Sequence, residues 1–306
     1  MKNGNTPANG AAPFAAVADR SNLTTSQFLI WLGQKLTPDV PLYNMAHTFT
    51  IEGALDPALY QQAFQALIDG SDALRTVIVE EDGVPQQRVR AQLQVTVAQI
   101  DLSGEPDPDA AFQYWLNQRR LHNFVLSDGL FDSVLLKLGP QRWVWYYNQH
   151  HLTVDVLSVA LIFRRMSELY QQAQAGTLDA APAQPAYADY VAHERAYRQS
   201  AQADRAQAYW QEKLAQPLEP VTFYGQTGHG AGTTTRRVPC ALGPERSQAL
   251  RAIAEQPGVQ TAFPRKALPI DLCRWVTGLV ASQPGKIIIA VTAHTAIAVA
   301  MHLAWR

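Results

Sequence analysis

The segment that most constrains the fold runs from Phe131 to about Tyr170. Phe131 to Leu138 and Arg142 to Asn148 are two strand-like runs on either side of Gly139-Pro140, and they predict a strand pair joined by a tight turn. His150 and His151 follow directly, and an amphipathic helix is expected from about Val156 to Tyr170. Further strands are expected at Met45–Ile51, Leu74–Val79 and Leu93–Ile100, with Val84–Arg90 returning as a hairpin across Glu81-Asp82-Gly83. Helices are expected at Thr24–Leu36, where Phe28, Trp31, Leu32 and Leu36 share a face, and after Asp56-Pro57. Asp107-Pro108 starts another, running to about Phe124. Hairpins interspersed with helices predict an α+β fold with a mixed sheet.

Beyond this region, Ala173–Pro185 reads as a linker, Tyr187–Leu214 as one long helical stretch, and Gly225–Gly232 as a loop of small residues. Residues 287–305 contain no formal charge and are long enough to span a bilayer as a helix. Residues 1–20 read as a flexible arm without the apolar core of a secretion signal, so the expected compartment is the cytoplasm. Lys plus Arg total 25 against 26 Asp plus Glu, a balance that does not support nucleic-acid binding. The Arg pairs at 119–120, 164–165 and 236–237 are read as solvated faces. Cys240 and Cys273 are too few for a disulfide framework or a zinc site.

The chemistry-bearing constellation is His150-His151-Leu152-Thr153-Val154-Asp155, at the junction of strand and helix. Adjacent histidines at a strand end point opposite ways, so one can face a site while the other is packed or hydrogen-bonded. An imidazole can take a proton from an amine, thiol or hydroxyl nucleophile near neutral pH. Asp155 can orient a histidine, pair with a cation, or cap the following helix. No HExxH motif or Cys/His cluster supports a metal site, and no G-x-S-x-G elbow supports a serine hydrolase. Pro284-Gly285-Lys286 lacks the glycine spacing of a phosphate loop.

The six-residue constellation resembles the HHxxxD signature of the condensation domains of nonribosomal peptide synthetases, within the chloramphenicol acetyltransferase-like superfamily. Gln27 and Trp31 match the family's opening S-x-A-Q-x-R-L-W motif, with Leu29 in place of its arginine. Leu74-Arg75-Thr76 matches the end of R-H-E-x-L-R-T, Tyr187-Ala188-Asp189-Tyr190 matches Y-x-D-[FY], and Tyr209-Trp210 to Leu214 matches Y-W-x-x-x-L. The resemblance covers roughly residues 21–255. It implies a chloramphenicol acetyltransferase-like lobe, with a mixed sheet and flanking helices, plus an incomplete second lobe. The corresponding expected boundaries are a flexible arm at 1–20, an N-terminal lobe at 21–175, a crossing segment and start of the second lobe at 176–258, and an unassigned tail, read as frame-shifted, at 259–306.

By resemblance His151 is the catalytic histidine, His150 a packing or hydrogen-bonding residue, and Asp155 the structural partner of Arg75 in an ion pair. The implied reaction is attack of an acceptor amine on an acyl thioester to form an amide. The thioester hangs on the phosphopantetheine of a carrier domain, so no cofactor is bound directly. Implied partners are carrier domains and the adenylation module of a synthetase; a membrane enters only through the apolar tail. Two histidines stand where cyclising relatives carry an aspartate, which speaks against cyclisation. Val156 replaces the family's glycine after the motif aspartate, and the later D-F-G-W-G motif is absent. The alternatives are an inactive interaction module or pseudogene product, and a stand-alone CoA-dependent acyltransferase.

Overall fold

A computed structural model describes residues 17–178, 185–215, 243–254 and 288–295. Along the chain these form α1 (Thr25–Leu36), β1 (Asn44–Glu52), α2 (Pro57–Asp69), the single turn α3 (Asp72–Arg75), β2 (Thr76–Glu81), β3 (Val84–Val89), β4 (Ala98–Asp101) and α4 (Pro108–Arg119). They continue with β5 (Phe131–Gly139), β6 (Arg142–His150), α5 (Val156–Gln174), α6 (Tyr187–Arg198), α7 (Ala201–Lys213), α8 (Gly243–Ala254) and β7 (Ile288–Thr295). Among the described residues the main sheet has the order β4-β5-β6-β1-β7, while β2 and β3 form a separate hairpin. β4 runs parallel to β5 and the other neighbours are antiparallel, so the sheet is mixed as expected.

Helix starts follow local chemistry. Thr24 and Gln27 form a reciprocal capping box at α1. Asp56 and Asp107 cap α2 and α4, each followed by proline at the first helical position. Alternation along β6 sends Trp145 and Tyr147 to one face and Val144 and Tyr146 to the other. On the first face they meet Phe49 of β1, Tyr60 and Phe64 of α2, and Phe163 and Met166 of α5. On the second, Val134 and Leu136 of β5 join them against Phe112 and Leu116 of α4. Both faces of β6 are thus covered, and its end is held rigidly. A third cluster sets Phe28 and Trp31 of α1 beside Leu130 and Leu152, next to that end.

Several local expectations change. Residues 93–97 are not a strand, and β4 begins only at Ala98. Their backbone groups bond instead to two side chains on α2: Gln61 donates to the Val95 carbonyl and accepts from Val97 N, and Gln65 does the same for Leu93 and Val95. Residues 72–75 are a helical turn, so β2 starts at Thr76. α4 stops at Arg119, short of Phe124. The stretch 187–214 is two helices, because Ser200 caps a new one by accepting from Ala203 N. α5 runs on to Gln174, into the expected linker. Arg119 makes a bidentate pair with Asp132 at 2.7 and 2.8 Å rather than lying on a solvated face.

Within the apolar stretch, residues 288–295 are the strand β7, paired antiparallel with β1, and not a membrane helix. Among the described residues no helix is long and apolar enough to cross a membrane. Cys240, Cys273, the 225–232 loop and Pro284-Gly285-Lys286 lie outside the described residues.

Candidate active site

β6 delivers the two histidines. Its last residue, His150, has its backbone N–H bonded to the Leu130 carbonyl at 2.8 Å, and the next N–H, that of His151, bonds the Tyr43 carbonyl at 2.9 Å. The chain then turns through Leu152, Thr153 and Val154 into α5. Gln27 of α1 holds this turn by donating to the Leu152 carbonyl at 2.8 Å. From the other side, Gln149 Nε2 donates to Thr153 Oγ1 at 3.0 Å, and Tyr147 Oη donates to Gln149 Oε1 at 2.6 Å.

The two imidazoles occupy different environments, as alternation predicts. His150 is 1% exposed and sits between the rings of Tyr43 and Phe124. Its Nδ1 accepts the Leu152 N–H, so the hydrogen of its neutral ring is on Nε2. Burial, and secondarily the neighbouring His151, pushes its pKa down to about 3. His150 therefore stays neutral and packs.

His151 is only half-buried. Its Nδ1 lies 2.7 Å from the Val154 carbonyl oxygen. A carbonyl can only accept, so Nδ1 carries the hydrogen and the lone pair is on Nε2. A free imidazole nitrogen held in one orientation on a rigid strand end can act as a general base or position an attacking nucleophile.

The expected Asp155–Arg75 ion pair does not form. Asp155 caps α5, its Oδ1 accepting from Ser158 N at 2.7 Å and Ser158 Oγ at 2.6 Å. Arg75 donates to the Ile68 and Asp69 carbonyls at the end of α2, at 2.9 and 2.5 Å, and to the Arg90 carbonyl at 3.0 Å. Each charge serves a helix terminus of the matching polarity: the carboxylate an N-terminus, the guanidinium a C-terminus. Val156 is the first residue of α5 and is 49% exposed.

Gln149 and Thr153, which sequence reasoning did not single out, also line a cleft of about 380 Å³ behind the turn. α5 contributes Ser158, Leu161 and Arg165 to it, and α6 contributes Tyr187, whose hydroxyl is pushed up to about 12 by burial first and the nearby Tyr190 second. Gln149 was detectable as a polar residue on the core-facing register of β6. Among the described residues no group of three or more His, Cys, Asp or Glu side chains converges as a metal site.

Comparison with known proteins agrees with this fold. The condensation domain family matches residues 17–262. An isonitrile lipopeptide synthase of Streptomyces coeruleorubidus is 32% identical over 240 residues, covering 78% of this chain and 16% of that protein. Enterobactin synthase component F of Escherichia coli is 29% identical over 206 residues, covering 66% of this chain and 16% of that protein. Among solved structures, the starter condensation domain of rhizomide synthetase in complex with C8-CoA aligns with a TM-score of 0.62 at 32% identity, covering 67% of this chain and 48% of that one. The first condensation domain of the calcium-dependent antibiotic synthetase, in complex with a substrate analogue, aligns with a TM-score of 0.61 at 31% identity, covering 65% and 48%. This chain thus spans about half the length of the solved domains it matches. With the family match running from α1 past α8 through the two histidines, the chain belongs to the condensation domain family of nonribosomal peptide synthetases.

Proposed function

We propose that this chain supplies the histidine side of an amide-forming condensation, with His151 as the catalytic residue. The observation that carries this reading is the Nδ1 to Val154 carbonyl bond, which leaves Nε2 as the only nitrogen of the ring able to take a proton. The acceptor amine attacks the carbonyl carbon of an acyl thioester, and the new C–N bond forms. His151 Nε2 takes the proton the nitrogen sheds. The C–S bond breaks, and the leaving thiolate takes the proton back from His151 Nε2, which returns the ring to its neutral form. A thioester is already activated, so holding the two reactants together supplies much of the rate.

The donor and acceptor are carried on the phosphopantetheine of carrier domains, and an adenylation module loads them. His150, Asp155 and Arg75 are structural: the first fills the space behind the turn, the second starts α5, and the third closes α2. Support for a thioester donor comes from the similar starter condensation domain, which holds C8-CoA.

The test combines the chain with an acyl-loaded donor carrier and an aminoacyl-loaded acceptor carrier, and follows the acylated acceptor by mass spectrometry. Product above the protein-free control, lost in His151→Ala, is expected. Product at the protein-free level for both proteins would overturn the reading.

A further inference from the structure

We propose that Tyr43 is a positioning residue for His151, seated by Gly33 of α1. Three separate contacts converge on Tyr43. Its carbonyl accepts the His151 N–H at 2.9 Å, which fixes where the backbone of the motif turns away from β6. Its ring stands beside the His150 imidazole, with centroids 6.0 Å apart. Its hydroxyl end lies against Gly33: a Cβ on that glycine would stand 2.0 Å from Oη, 2.9 Å from Cζ and 3.1 Å from Cε2.

Gly33 lies in the third turn of α1, where glycine is the poorest helix former apart from proline. Nothing about its backbone requires glycine, because it is not among the residues with positive φ. Its lack of a side chain therefore matters for the space given to Tyr43. Tyr43 is buried, and its ring cannot shorten as a flexible side chain could. A methyl group on Gly33 must displace the ring, and the ring is one residue before β1 and on the chain segment that holds His151. The path from α1 to the candidate base is thus Gly33, the Tyr43 ring, the Tyr43 carbonyl and the His151 amide. The same ring closes one side of the His150 pocket, whose other side is Phe124.

The inference rests on His151 as the reactive group, but its test reads structure first. Backbone amide exchange is measured on the whole chain for the wild type, Gly33→Ala, Tyr43→Phe, and the double variant. Gly33→Ala is expected to speed exchange of the His151 amide at least about tenfold while the Tyr146 amide in the middle of β6 stays protected. Tyr43→Phe alone removes the hydroxyl but keeps ring and carbonyl, so exchange stays near wild type. In the double variant the 2.0 Å contact is gone while the new Cβ still stands 2.9 Å from Cζ, so His151 protection returns in part. The nitrogen-15 signals of the His151 ring follow the same order, a readout that general loosening of the core does not give.

Unchanged His151 exchange in Gly33→Ala, equal acceleration along all of β6, or no recovery in the double variant would each overturn the proposal. If the wild type makes no amide product while the exchange pattern holds, the functional reading fails and the positioning role stands. Where product is made, Gly33→Ala lowers kcat with little change in KM for the loaded carriers, and the double variant restores part of it.

Discussion

His151 Nδ1 lies 2.7 Å from the carbonyl oxygen of Val154, three residues ahead of it in the same turn. The bond is local, so the turn that leads into α5 also selects the tautomer. The neutral ring is expected to carry its hydrogen on Nδ1 throughout the population. Long-range proton–nitrogen NMR correlations read this directly, and a dominant Nε2–H signal would contradict it. In the same protein, His151→Ala should lower the condensation rate by about 10²–10⁴-fold, the usual worth of a positioned acid–base group.

His150 predicts a pH dependence of stability rather than of chemistry. Its usual value of 6.5 is pushed down to about 3 in the folded chain by burial and, less, by His151. Between these values the unfolded chain binds the proton and the folded one does not. Stability from this group is therefore complete above pH 6.5 and is lost as the pH falls toward 3, at up to about 1.4 kcal/mol per pH unit. His150→Leu should flatten that part of the denaturation curve. In the wild type the His150 ring should still show a neutral nitrogen pattern at about pH 5, and a charged ring there would refute the buried, neutral assignment.

Asp155 and Arg75 are expected to act independently. Asp155→Ala removes the α5 cap and should cost about 1 kcal/mol, within the range for helix N-caps. Arg75→Ala frees the Ile68 and Asp69 carbonyls at the C-terminal end of α2 and the Arg90 carbonyl after β3, none of which Asp155 touches. With no shared contact, the two losses should add to within about 0.5 kcal/mol in a double-mutant cycle by urea denaturation. A coupling well above that would reinstate the ion pair.

What the sequence disclosed was chemistry carried by neighbours in the chain. Asp56-Pro57, Asp107-Pro108 and the Thr24–Gln27 box each specify a helix start within a few residues. The strand–histidine–helix order around His150 and His151 is likewise local, which is why the candidate site was found. Partners distant in sequence were not legible. The choice of Arg75 for three backbone carbonyls over Asp155 depends on how α2 ends against β3, which residue spacing does not encode. The role of Val154 was hidden because its main chain does the bonding. The break at Ser200 was missed because alanine-rich flanks on both sides favour helix equally.

The segment 93–97 has a strand-like composition but obtains its hydrogen bonds from Gln61 and Gln65, one helical turn apart on α2. Each glutamine offers one donor and one acceptor, as a neighbouring strand would. Removing either side chain leaves a part-buried N–H and C=O without partners, a loss of about 1–3 kcal/mol. Gln61→Ala should therefore destabilise the chain by that amount and expose the Val97 amide to exchange. Gln61→Glu separates the two halves of the contact. Its carboxylate still accepts from Val97 N but can no longer donate to the Val95 carbonyl, and it faces that oxygen with a negative charge. Stability should fall as in Gln61→Ala while the Val97 amide stays protected. Equal exposure of Val97 in both variants would mean that burial, not the glutamine, protects this segment.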